Sequence, residues 1–459
     1  MDKLVERLTS YADSLKFEQF PSEVIHQAKR LTIDAFGCAV GGFTGEPSRI
    51  ARQVAMETAG PWRATVLATG HKTYPDLAAF ANGTMIRYLD YNDTYIYKDT
   101  CHPSDNIAAL LAAAEAAGAD GKALITGIVL AYEIECHLCD TGVIRGKGWD
   151  QGTYGVLSSA LGAGKVMGLS PREMAQALSI ACASSLSLLQ TRSGTLSMWK
   201  GCAVPNAGRQ AVFSALLAQR GMTGPDPIFE GTYGFFKVVS GGAFELGTFG
   251  GSSNQPFKIM ASRIKPFPTG YYSQTAIEGA IQLRQELKSG DEIEEVKLYT
   301  FDQGAKIMAG DPEKWDPKTR ETADHSLPYV VAVALTHGNV GLEHFSEEAI
   351  RNPAVLGLVK KVKVYSSDEC EKAWPDATLN ILEVTLKGGS KRSVRVYHHK
   401  GHPRNPMSDQ EVEQKFRRLS REILAPGQAD AILSQLWNLE KQKDLGNLVE
   451  MFNVKDIDP

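Results

Sequence analysis

The run LDYNDTYIYKDTCHPSDN, residues 89–106, gathers Asp90, Asn92, Asp93, Thr94, Asp99, His102 and Asp105 in one short segment. It opens at the end of a helix-patterned stretch, AAFANGTMIRYL (78–89). It closes on Ser104-Asp105, just before the apolar run IAALLAAAEAAG. A carboxylate and an imidazole held between two helices are the parts needed to move a proton to or from carbon. Asp and Ser also favour helix caps, so the same residues read equally as a solvated loop with two caps.

Cations that suit an acidic ligand lie further along. Arg192 and Lys200 fall in TRSGTLSMWKGCAVPNAGRQAVF, otherwise small and apolar. Arg can hold a carboxylate with two parallel bonds, and Lys can hold one as a point charge. Both side chains also snorkel at surfaces. In RIKPFPTGYYSQTAIEGA (263–280), Pro266 and Pro268 stiffen a hinge that carries Lys265, Tyr271, Tyr272 and Gln274. In RETADHSLPY (320–329), Asp324-His325 precede a helix with Pro328 in its first turn, so capping accounts for much of that motif. GHPRNPMSD (401–409) reads as a stiff return linker. GAGKVMGLS (162–170) is not a phosphate loop, because the pattern needs Gly where Ser159 stands and no strand precedes it. Neither a G-x-S-x-G elbow nor an H-E-x-x-H motif occurs.

Composition narrows the partners. The 459 residues carry a formal charge of −4, with 43% hydrophobic and 22% charged residues. That is ordinary for a globular protein and offers no basic face for nucleic acid. The length suggests two domains. The N-terminal MDKLVERLTSYADSLKF is amphipathic and has no signal-peptide core, and no stretch reaches the apolar length of a membrane span. A cytoplasmic protein is expected. Seven cysteines, an odd number scattered through apolar patterns, read as reduced core thiols. Cys136-x-x-Cys139 has no second pair to complete a zinc site. Organic acids and bases, with no metal and no cofactor, are expected to do the chemistry.

The elements that must position these groups change texture once and then change back. Up to about Arg263 the patterns are helical, as in SEVIHQAKRLTIDAFGCAV, GKALITGIVLAYEIECHL, GVLSSALGAGKVMGLS and PREMAQALSIACASSLSLL. Their Ala and Gly content allows close helix approach, and Ser170-Pro171 marks a helix start. After Pro266, EIEEVKLYTF, VKKVKVYSS, LNILEVTLK and SVRVYHHK read as strands, the last two joined by Gly388-Gly389. SLPYVVAVALTHG is a helix between the first two strands. A capping box, Ser408 with Glu411, starts the final helices. The fold class expected is mainly α with α+β: a helical domain over 1–265, an inserted α+β lid domain over 266–403, and C-terminal helices over 404–459 that rejoin the first. Two such domains make a cleft, where small ligands bind.

Taken together, LDYNDT followed by HPSDN, SMWKGCA with NAGRQAVF, KPFP, RETADHSLPY and KGHPRNPMSDQEVEQKF resemble the MmgE/PrpD family of 2-methylcitrate dehydratases, whose relatives include cis-aconitate decarboxylases and an iminodisuccinate epimerase. The resemblance covers nearly the whole chain. It implies a helical domain built from both chain ends, an inserted lid, a homodimer and no metal. It also implies active-site positions at Asp90, Thr94, His102 and Lys200. Where dehydratase-type members show histidine, this chain has Gln151 and Tyr272. The substrate implied is a small di- or tricarboxylate, and the reaction implied is proton abstraction beside a carboxylate with loss of water. Tyr272 joins the catalytic candidates as an acid. Asn92, Gln151, Arg192, Lys265 and His325 are the substrate-binding candidates. An epimerase or decarboxylase on the same scaffold, or a carboxylate-binding paralogue without catalysis, is left open by the two departures.

Overall fold

The computed structural model describes residues 2–454 except 59, 62, 253 and 289–291. The fold is mainly α with a small mixed sheet. The chain divides into two compact units: 1–191 with 201–264 and 407–459, and 192–200 with 265–406. No helix among the described residues is long and apolar enough to cross a membrane.

In chain order, the helices that matter for the site are α1 (Ser22–Gly41), α2 (Pro75–Tyr88), α3 (Asn106–Ala117), α4 (Gly121–Thr141), α5 (Gly152–Val166), α6 (Pro171–Ser184) and α7 (Ala203–Gln219) of the first unit. They are followed by α8 (Gln274–Glu286) and α9 (Leu327–His337) of the second, and by α10 (Asp409–Ser420), which belongs to the first. The strands are β1 (Ile293–Thr300), β2 (Val362–Ser366), β3 (Asn380–Leu386) and β4 (Lys391–Val396).

In the first unit, α4 is buried along almost its whole length, as an all-round apolar helix must be. Small residues let its neighbours come close: a Cβ at Gly127 would meet Val166 Cγ2 of α5 at 2.3 Å, and one at Gly162 would meet Leu110 Cδ2 of α3 at 2.6 Å. Residues Cys101, Cys136 and Cys139 are fully buried in this core, and all seven cysteines are unpaired as disulfides. Ser170 and Ser408 form the capping boxes that start α6 and α10. The α10 helix lies against α1, where a Cβ at Gly37 would meet Phe416 Cα at 3.2 Å. Lys415 of α10 reaches Asp34 Oδ1 at 2.6 Å and the Tyr91 carbonyl at 2.7 Å, its ammonium 3.8 Å from the Tyr91 ring centre.

In the second unit the strand order is β2-β1-β3-β4. β1 runs parallel to β2, with Val296 opposite Val362, and antiparallel to β3, with Val296 opposite Val384. β3 and β4 form the expected hairpin; Gly388 and Gly389 both take positive φ, at 102° and 86°. The YHHK end of the fourth expected strand lies beyond β4. Helix α8 packs on the sheet at Gly279, where a Cβ would lie 3.0 Å from Val394 Cγ1. The edge strand β4 carries Lys391, Arg392 and Arg395, charges that discourage further pairing.

Candidate active site

Apart from the exposed hairpin tip at Tyr97 and Lys98, the segment 89–106 is a buried, cross-tied structure and not a solvated loop. Asp90, Asn92, Asp93, Thr94, His102, Ser104 and Asp105 are all buried. Asp90 sits at φ 49°, a left-handed conformation that Asp tolerates better than most residues. The Asp90 carboxylate pairs with Arg87 at 2.8 Å, and Arg87 Nε lies 3.6 Å from Asp105. Asn92 donates to Ser104 Oγ and Asp105 Oδ1, at 2.9 and 2.7 Å. A short hairpin, Tyr95–Ile96 with Thr100–Cys101, returns the chain to His102. A reciprocal backbone pair between Thr94 and Arg263 fastens its base.

The contacts that orient His102 come from Asp93 and Thr94. Its Nδ1 lies 2.7 Å from the Asp93 carbonyl oxygen and 3.1 Å from Thr94 Oγ1. A carbonyl can only accept, so Nδ1 carries the hydrogen, and in the neutral ring Nε2 holds the lone pair. The Asp93 side chain grips the same turn from the other side. Its Oδ1 accepts from the Ser104 amide at 3.0 Å and its Oδ2 from Ser262 Oγ. Burial pushes the Asp93 carboxyl up from its ordinary range, against hydrogen bonds from Ser262, Ser104 and Tyr132.

Behind this turn lies a second buried acid. Asn106 Nδ2 donates to the Pro103 carbonyl at 2.9 Å and to Glu135 Oε2 at 2.5 Å, while its Oδ1 accepts from Ser158 and Ser159. Burial, and secondarily the Asp105 charge, pushes Glu135 from 4.5 up to about 8. The folded chain therefore keeps a proton on Glu135 that the unfolded chain has released at any pH between these values. That contribution to stability is full below about pH 4.5 and is lost as pH rises to about 8, with a slope of at most about 1.4 kcal/mol per pH unit. Glu135→Gln removes the titration. Melting temperatures recorded from pH 5 to pH 8 are expected to fall more steeply for the wild type than for the variant; parallel curves would count against a protonated Glu135.

In the second unit, Lys200 stands in a short 3₁₀ turn, Met198–Gly201, and is buried. Its Nζ lies 2.8 Å from Asp324 Oδ1 and 2.9 Å from His325 Nδ1, and Asp324 Oδ1 lies 2.6 Å from His325 Nδ1. Asp324 and His325 do not cap α9. Ser326 does, its Oγ accepting from the Tyr329 amide, with Pro328 in the first turn. Lys314, also buried, has its pKa lowered by desolvation and by the charge of Lys200. Arg192 Nη1 donates to the Lys200 carbonyl at 3.3 Å. Lys265 is fully buried. Tyr272 is buried with its ring edge-on to Phe301 and Trp374, at 5.0 and 5.5 Å.

The sequence-expected residues thus fall into two groups. Asp90, Asn92, Thr94 and His102 come together in the first unit, where Gln151 is buried at the start of α5. Lys200, Arg192 and His325 come together in the second, which also holds Lys265 and Tyr272. Sequence reasoning passed over Asp93 as an orienting residue, Arg87 as the partner of Asp90, and Lys314. Only Asp93 left a signal, as a second acid three residues after the first.

The MmgE/PrpD N-terminal domain model matches residues 6–246, and the MmgE/PrpD C-terminal domain model matches residues 267–440. The chain is 28% identical to the mitochondrial 2-methylcitrate dehydratase of Yarrowia lipolytica, over 99% of this chain and 91% of that protein. It is 29% identical to the 2-methylcitrate dehydratase of Salmonella typhimurium, over 81% and 80%. It is 23% identical to the cis-aconitate decarboxylase-like protein oryM of Aspergillus oryzae, over 97% and 96%. With both domain models matched in order across most of its length, the chain belongs to the MmgE/PrpD family.

Proposed function

We propose that this chain is a hydro-lyase of the 2-methylcitrate dehydratase type, acting on a small di- or tricarboxylate with its own acids and bases and without a metal ion. The observation that carries the proposal is the His102 imidazole. Its Nδ1–H is donated to the Asp93 carbonyl, so in the neutral ring Nε2 carries the lone pair a base needs, within a buried turn. The names of the Yarrowia and Salmonella relatives support the substrate class. In this reading His102 removes the proton beside a substrate carboxylate, and Thr94 holds the ring and a substrate oxygen. Lys200, with Lys314 near it, supplies positive charge for a carboxylate, which stabilises the developing carbanion. The protein works as a cytoplasmic homodimer.

A second reading, an epimerase or decarboxylase, draws on Gln151 and Tyr272. Gln carries no titratable proton, and the Tyr272 ring is packed among aromatics. Proton NMR in D₂O with 2-methylcitrate, citrate, cis-aconitate and iminodisuccinate separates the readings. Loss of water to an alkene is the expected result. Deuterium wash-in without water loss would mean an epimerase, and CO₂ release a decarboxylase. Silence on all four, with ligand-induced thermal stabilisation, would mean a carboxylate-binding protein without this chemistry.

A further inference from the structure

Four lysines are buried among the described residues: Lys200, Lys265, Lys314 and Lys415. Taking an ammonium out of water is costly unless a counter-charge or an acceptor meets it. Lys415 meets Asp34 and the Tyr91 carbonyl, and Lys200 meets Asp324. Lys265 has partners as well. Lys314 is as buried as Lys200 and Lys415, at 3% exposure. Yet no hydrogen bond or ion pair joins its Nζ to any described residue.

The acids whose charge reaches Lys314 are Asp324, Asp311 and Glu313, and none of them is paired with it. Asp324 Oδ1 already has Lys200 at 2.8 Å and His325 at 2.6 Å. Glu313 is exposed. Desolvation, and after it the charge of Lys200, lowers the Lys314 pKa, as expected of a cation with no close counter-ion.

The root of this side chain is fixed. Lys314 ends a 3₁₀ turn, Pro312–Lys314, and its amide donates to the Asp311 carbonyl at 3.0 Å. Its own carbonyl accepts from Ser326 Oγ, the hydroxyl that also caps α9. The next residue, Trp315, is tied by its Nε1 to the Ala309 carbonyl at 2.8 Å. Lys314 is therefore no snorkelling surface cation, whose head would stand in water. Its backbone is held by the residue next to the Asp324-His325 pair that meets Lys200, and all of these groups belong to the second unit.

We propose that Lys314 is a substrate-binding residue, whose ammonium takes one carboxylate of a small di- or tricarboxylate, apart from the carboxylate assigned to Lys200. This rests on the carboxylate-substrate part of the reading above. The ligand brings the counter-charge that the fold leaves out. Two cations then ask for two carboxylates, and a monocarboxylate would leave Lys314 buried and unmet. The same arrangement makes Lys314 a burden on the ligand-free fold, so the residue trades stability for selectivity.

The test is calorimetric titration of the full-length protein with 2-methylcitrate, citrate and cis-aconitate, wild type against Lys314→Met, together with melting temperatures without ligand. Binding is read without turnover, so the result does not depend on which reaction follows. Lys314→Met is expected to weaken Kd about 10- to 100-fold for each acid the wild type binds, the usual loss of a hydrogen-bonded charge. Its ligand-free Tm should be no lower than that of the wild type, because methionine fills the space without a buried charge. A lower ligand-free Tm would mean that Lys314 has a structural partner in the protein and would overturn the proposal. An unchanged Kd in a wild type that binds sinks the Lys314 role alone. A wild type that binds none of the three acids sinks the carboxylate reading and the Lys314 role together.

Discussion

Lys415→Met is expected to destabilise the protein by about 3–5 kcal/mol, the usual cost of removing one partner of a buried ion pair. Lys415 and Asp34 are 3% and 0% exposed at their side chains and 2.6 Å apart. Methionine fills most of the volume but takes the ammonium away from the buried Asp34 carboxylate. Lys415 also donates to the Tyr91 carbonyl, next to Asp90, so the active-site segment loses an anchor at the same time. Denaturant unfolding should show the loss as a lower midpoint. Asp34→Asn combined with Lys415→Met should recover a large part of it, because the orphaned charge is gone. A single variant within about 0.5 kcal/mol of wild type, the range of ordinary surface changes, would mean the pair is not buried in solution.

His102→Gln is expected to lower kcat about 100- to 10,000-fold while leaving the fold intact. Glutamine can donate to the Asp93 carbonyl as Nδ1 does, and it can fill a site only 6% exposed. It cannot accept a proton near neutral pH. Deuterium wash-in to substrate should fall with kcat, since both need the same abstraction. Asp93→Ala should reduce kcat with His102 still present, by releasing the turn at Ser104. The unpaired Ser104 amide would add a stability cost of about 1–3 kcal/mol. Near-wild-type turnover in His102→Gln would remove His102 from the mechanism.

Local chemistry was legible in the sequence; long-range pairing was not. The periodicity of 121–138 and 326–338, the alternation of 292–301 and 379–387, and the Ser170 and Ser408 caps each depend on residues within a turn or two of one another. They appear as expected in α4, α9, β1, β3, α6 and α10. Thr94 and His102 are eight residues apart across a hairpin, close enough for the motif itself to suggest their contact. The Lys415–Asp34 pair spans 381 positions, and each partner alone reads as an ordinary helix-surface charge. Glu135 sits in a largely apolar helix and gives no hint that Asn106 will meet it. Asp93 acts on His102 through its backbone carbonyl, a group every residue owns, so its identity could not announce that contact. At Asp324-His325 the cap-like pattern was misleading, because Ser326 one residue on supplies the cap.

The closure of the first unit by α10 has a consequence for synthesis on the ribosome. Helix α1 emerges early, with Asp34 and the glycine face that α10 will cover. Nearly four hundred residues, the whole second unit among them, are translated before Lys415 appears. At ordinary elongation rates that interval is on the order of half a minute. Throughout it the nascent chain holds a helical core that still lacks α10 over the glycine face of α1, while every residue of the second unit has already been made. Chains interrupted late, between the end of the insert and α10, are therefore the species most in need of a chaperone.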